Sequence, residues 1–155
     1  MMDRQIGLIA DTHGLLRPEA VRGLAGVDLI IHAGDIGAPR VITELEQIAP
    51  VVAVRGNCDR EPWAETYPPT QFVEVGSFVI YAIHQIDRLD LDPAAAGIGL
   101  VVYGHSHRPA QAIRDGIWYV NPGGAGPRRF SLPVTVARLK INRDGLDLKF
   151  VNLSI

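Results

Sequence analysis

The chain has 155 residues, 47% of them apolar and 21% charged, with a formal net charge of −2. Those proportions suit one folded domain over residues 1–155 and exclude a disordered or fibrous chain. The slightly acidic balance excludes bulk attraction to nucleic acid, and the absence of a long apolar run excludes a membrane-spanning helix. Residues 6–10 form a short apolar run that predicts a buried strand. A helix is expected from about Pro18, since proline suits a first turn, Ala20, Val21 and Leu24 form an apolar stripe, and Gly26 offers a stop. Residues 27–32 read as a second buried strand. Val41, Ile42, Leu45 and Ile48 have helical spacing, ended by Pro50. Residues 51–54 read as a third strand. Strand, helix, strand, helix, strand in that order predicts parallel pairing.

The later half changes character. Residues 72–75 and 77–83 meet around Gly76 as a hairpin, and residues 100–103 form another strand. Asp115-Gly116 and Asp144-Gly145 signal tight turns between strand-like segments. Leu146, Leu148 and Phe150 alternate with Asp147 and Lys149 as in a half-buried strand. This half is expected to be largely antiparallel. Two sheets packed face to face, with helices outside, accommodate both halves.

The informative feature is the placement of the five histidines, His13, His32, His84, His105 and His107. Each falls at or just past the end of a predicted strand, where ligands gather in α/β sheets. Asp11-Thr12-His13 and His105-Ser106-His107 place two donors at i and i+2, so both can face one ion. Taken singly, each motif has a plain structural reading. Asp11 could cap a helix, Gly34-Asp35 and Gly56-Asn57 could be ordinary turns, and His84 could be a hydrogen-bonded core residue. His32, inside an apolar strand, is read as a core histidine or one that supports the ligand residues from behind. The coincidence of ligand-competent groups at five strand ends outweighs those separate readings.

In this order, the segments Asp11-Thr12-His13, Gly34-Asp35, Gly56-Asn57-Cys58-Asp59, His84 and Gly104-His105-Ser106-His107 resemble the calcineurin-like metallophosphoesterase superfamily. Within it they are most similar to the small bacterial and archaeal phosphodiesterases related to the retromer subunit Vps29. Asn121-Pro122-Gly123-Gly124 adds a turn common in that subgroup. The resemblance implies an α/β fold, a four-layer sandwich of two mixed β-sheets flanked by α-helices. It implies a dinuclear phosphodiesterase that hydrolyses phosphate esters with a metal-activated water. Asp11, His13 and His107 would bind one metal and Asn57, His84 and His105 the other, with Asp35 bridging. Asp35 and Asn57 would thus serve catalysis through the metals. The expected ions are two of manganese, with iron, zinc, nickel and cobalt as alternatives, because mixed imidazole and oxygen donors suit these better than calcium or magnesium.

Two positions depart from larger members of the superfamily. Cys58 stands where they carry a His that protonates the leaving group. A thiol is a poor substitute acid, and a packed small residue is the simpler reading. Gln85-Ile86 follow His84 where relatives often have Gly-His, which affects a substrate contact and not the metal site. Arg128 and Arg129 are candidate contacts for a substrate phosphate. The expected partner is a small phosphate ester, with no membrane and with a second copy of the chain across exposed edge strands as a further candidate. A lone cysteine and an N-terminus without signal-peptide character point to the cytoplasm. The competing reading is a catalytically weak scaffold that keeps the fold and binds proteins, whose hallmark would be an eroded set of metal ligands.

Overall fold

The computed structural model describes residues 3–155, whose ten strands form two five-stranded sheets. The first half supplies β1 (Arg4–Ile9), α1 (Pro18–Gly23), β2 (Leu29–His32), α2 (Pro39–Leu45) and β3 (Val51–Ala53). Both helices start with proline in the first turn, where its missing N–H costs nothing. Both are shorter than the apolar spacing suggests. Gly26, with φ +82°, closes a turn beyond α1, and residues after Leu45 continue as turns towards Pro50. β1 pairs in parallel with β2, and β2 with β3, as expected.

The second half gives β4 (Thr70–Val75), β5 (Phe78–Ile83), β6 (Leu100–Val102), β7 (Ala110–Arg114), β8 (Ile117–Asn121), β9 (Thr135–Asn142) and β10 (Gly145–Asn152). β4 and β5 form a hairpin in which Val75 faces Phe78, leaving Gly76-Ser77 as the loop. β7 and β8 close on Asp115-Gly116, both with positive φ, the pairing that matches strand twist. The last hairpin is shifted by one residue from expectation. Asn142 faces Gly145, so the loop is Arg143-Asp144, and the Asn142 side chain accepts the Asp144 N–H at 2.9 Å.

The sheets run β10-β9-β1-β2-β3 and β4-β5-β6-β8-β7. The second sheet is less antiparallel than expected, because β5, β6 and β8 pair in parallel at its centre. Leu8, Ile31 and Leu139 of the first sheet pack against Ile80, Leu100 and Val120 of the second. Each fully buried Leu or Ile contributes about 1.5–3 kcal/mol relative to exposure. Both helices lie on the outer face of the first sheet, where Leu24, Val41 and Leu45 meet Ile9, Ile30 and Val136. The outer face of the second sheet is covered instead by the irregular segment carrying Ile86, Leu89, Leu91 and Ile98, which packs on Tyr81, Val101 and Ile117. The carboxyl ends of β1, β2, β3, β5 and β6 lead into the five motif segments.

Candidate metal centre

The loops after these strands are locked together by their own backbones. His13 N–H donates to Asp35 O at 2.9 Å, Gly14 N–H to Ile36 O at 2.8 Å, and Gly104 N–H to His84 O at 3.0 Å. Asp11, His13, Asp35, His105 and His107 all adopt left-handed backbone, with φ of 55°, 46°, 56°, 77° and 62°. Such conformations cost on the order of 1–3 kcal/mol each and persist only where surroundings enforce them. Gly56 has room for hydrogen only, since a Cβ there would lie 2.1 Å from Asp35 Oδ1. Gly34, with φ +104°, similarly approaches the His84 ring.

The donors converge in two groups. Asp11, His13 and His107 offer ligand atoms within 4.8 Å of one another, as do Asp35, His84 and His105. In the first group the Nε2 atoms of His13 and His107 face each other at 3.2 Å, and Asp11 Oδ1 lies 3.9 Å from the former and 3.6 Å from the latter. In the second, His84 Nε2 lies 3.3 Å from Asp35 Oδ2. Asn57 joins through its Oδ1, 3.1 Å from His105 Nδ1. Asp35 Oδ2 is also 3.6 Å from His13 Nε2, so this one oxygen stands between the groups.

These residues fit divalent cations. Asp11 Oδ1 and His84 Nε2 are buried without a hydrogen-bond partner among the described residues, an expense that native structures tolerate where a ligand completes the site. His84 Nδ1–H donates to Ala33 O at 2.8 Å, which fixes the ring and aims Nε2 inward. Asp11 Oδ2 accepts the His105 N–H at 3.0 Å, and Asp35 Oδ1 accepts the Cys58 N–H at 2.9 Å, leaving one oxygen of each carboxylate turned to the cluster.

Electrostatics carry the same message. Burial pushes the Asp11 carboxyl up to about 7, against the pull of His84. Burial also opposes ionisation of Asp35, but His84 and the Cys58 N–H outweigh it and hold that carboxyl well below the usual range. Burial lowers His13, and burial together with the Arg129 charge lowers His107 to about 4, so both rings stay neutral with lone pairs free. Burial would lower His84 too, but Asp35 and Asp11 raise it.

Residues that sequence reasoning named only as parts of motifs, with no role of their own, hold this arrangement. Buried Asp59 accepts three backbone N–H groups, from Ile36 at 3.0 Å, Gly37 at 3.0 Å and Gly56 at 2.9 Å. It thereby ties the Asp35 loop to the Asn57 loop. The signal was an Asp three residues after Gly56, a local cap of its own turn. Asn121 donates to Gly104 O at 3.2 Å and Ser106 Oγ at 3.0 Å, bracing the loop of His105 and His107. His32 stays outside the cluster. Its Nδ1 accepts the Gly34 N–H at 3.0 Å, so Nε2–H donates to Thr12 Oγ1 at 3.0 Å, and Thr12 donates on to Ile36 O at 2.8 Å.

Two expectations change. Cys58 is exposed and not packed, and its thiol belongs to a set with His13 and Asp35 within 4.8 Å. Burial and then Asp35 raise its pKa, so it stays protonated at neutral pH. Arg128 is not brought to the cluster, because its guanidinium donates to the carbonyl oxygen of Ile155. Exposed Arg129 is close enough for its charge to act on Asp11, His13 and His107. Ile86, in the place of the missing second histidine, packs into the outer core.

Residues 4–144 match the model of the calcineurin-like phosphoesterase superfamily domain. A protein of Methanothermobacter thermautotrophicus named a probable metallophosphoesterase is 35% identical over 161 residues, covering 94% of this chain and 91% of that protein. A phosphodiesterase of Methanocaldococcus jannaschii is 25% identical over 139 residues, covering 77% and 82%. The zinc complex of Vps29 from Entamoeba histolytica shares the fold with a TM-score of 0.74, at 16% identity over 97% of this chain and 99% of that one.

Proposed function

The chain belongs to the calcineurin-like phosphoesterase superfamily, and from that premise we propose that it hydrolyses phosphodiesters with two divalent cations. The reading rests chiefly on Asp35 Oδ2, which lies 3.6 Å from His13 Nε2 in one donor group and 3.3 Å from His84 Nε2 in the other. One carboxylate so placed can serve both ions and set their spacing. Asp11, His13 and His107 hold the first ion, and Asn57, His84 and His105 the second. When bound, the pair supplies Lewis acidity to the phosphoryl oxygens and lowers the pKa of a nearby water.

The protein groups divide the remaining work. Asp11 and Asp35 are the only carboxylates in the ligand set, so the loaded site keeps a positive charge that attracts a phosphate ester. Asn121 and Asp59 keep the ligand loops in register. Cys58, protonated and beside Asp35, is a weak proton donor at best, so esters with good leaving groups react fastest. That favours activated aryl diesters over alkyl monoesters. Imidazole with oxygen donors suits manganese, with iron, zinc, cobalt or nickel as substitutes. The scaffold alternative loses ground because all seven ligand residues are retained and converge. No helix among the described residues is long and apolar enough to cross a membrane, and we place the protein in the cytoplasm on its single free cysteine.

The test is hydrolysis of bis(p-nitrophenyl) phosphate by manganese-loaded protein. Asp35→Asn is expected to lower kcat by a factor on the order of a thousand, about 4 kcal/mol of barrier. Near-wild-type rates in that variant would refute the assignment.

A further inference from the structure

A cleft of about 450 Å3 opens beside the ligand cluster, on the side of Asn57 and His84, both of which line it. That is more room than one phosphoryl group needs, and it lies within the range of small-molecule sites. Two cationic side chains, Arg55 and Arg88, share its walls. Half-buried Arg55 is held in place by donating to Tyr67 O at 2.7 Å, which leaves its other N–H groups for a ligand. Exposed Arg88 sits on the turn Ile86–Arg88, directly after β5 and His84. Among the described residues the Lys and Arg ion pairs are Arg40 with Glu44 and Lys140 with Asp3, so neither cleft arginine is neutralised. Asp90 is the one carboxylate on the lining, and the wall therefore carries net positive charge. Two unneutralised guanidiniums facing a cleft that opens on a phosphoesterase centre match a planar or tetrahedral oxyanion.

We propose that this cleft binds a second phosphate of the substrate, so that the preferred phosphoesters carry another phosphate on the arm that leaves the cluster past His84. The proposal rests on the reading of the metal centre given above. Asn57 and His84 form the boundary between the two sites: they face the cations on one side and the cleft on the other. Arg55 and Arg88 then choose among phosphoesters without touching the reacting atoms.

Calorimetric titration of the manganese-loaded full chain with adenosine 3′,5′-bisphosphate, 3′-AMP and 5′-AMP tests this. The bisphosphate is expected to bind about tenfold or more tightly than either monophosphate. In Arg88→Gln that ratio, read within one protein, falls towards one. In Asp90→Asn it rises. Arg88 and Asp90 are exposed, so neither change threatens folding. Equal affinities in the wild type, or an advantage that survives Arg88→Gln because two phosphates merely chelate the metals, would overturn the proposal. Failure of the metal reading itself shows separately, as absent turnover of bis(p-nitrophenyl) phosphate by the same preparation.

Discussion

A thiol 3.7 Å from the Asn57 amide and beside Asp35 is placed where an acid would be useful, yet partial burial and then Asp35 keep it from ionising. Cys58→Ser is therefore expected to retain kcat within about tenfold on an activated diester, measured at saturating manganese; a thousandfold loss, about 4 kcal/mol, would make the thiol part of the chemistry. His32 carries a different prediction. Burial, reinforced by the charge of His84, lowers its pKa to about 3, whereas the unfolded chain takes up a proton near 6.5. A depressed folded pKa means that its contribution to stability is complete above about pH 6.5 and declines as pH falls towards 3, by about 1.4 kcal/mol per unit. In a histidine NMR titration the His32 ring signal should stay flat from pH 8 to 5. Movement with a midpoint near 6 would contradict the Gly34–His32–Thr12 hydrogen-bond chain. The roles of His32 and Asp59 could not be told from sequence, since a histidine in an apolar strand and an Asp after Gly-Asn-Cys each fit several environments. Their deciding partners, the Thr12 hydroxyl for His32 and the N–H groups of Ile36 and Gly37 for Asp59, lie some twenty residues away, which no local pattern encodes.

Elements deliver the ligands, and the bond between the Asp35 and Asn57 loops is the junction most open to test. Asp59→Ala leaves the N–H groups of Ile36, Gly37 and Gly56 without their acceptor, at roughly 1–3 kcal/mol for each that stays buried. Metal-free protein with this change should unfold at clearly lower temperature, and manganese should restore part of the loss, as read by calorimetry with and without the ion. An unchanged melting temperature would remove Asp59 from its bracing role. Period-two and helical patterns made the first three strands, both helices and the β4–β5 and β7–β8 hairpins legible, because each follows from nearby residues. The parallel centre of the second sheet was not legible. β5 and β6 are joined through the irregular segment that crosses the outer face, which has no periodicity to announce a crossover, and β8 reaches β6 only by way of the β7–β8 hairpin. The one-residue shift at Asn142 likewise came from a side-chain cap that competes with the Asp144-Gly145 signal.

At the scale of the whole molecule, the two sheets stack so that parallel strands from both end at one rim, and the ligand set exists only because of that stacking. Asp11, His13 and Asp35 come from the first sheet, His84, His105 and His107 from the second. Sequence marked these residues through their positions at strand ends beside glycines, while their mutual distances required the fold. The left-handed backbones of all of them but His84 are local violations of propensity gathered at one place, the pattern expected where function is favoured over stability. Crystals grown with manganese and measured at the metal's absorption edge examine the central claim most directly. Two anomalous peaks about 3.5–4 Å apart, flanking the Asp35 carboxylate, are the predicted result. A single peak away from Asp35, or none at saturating manganese, would contradict a two-cation centre.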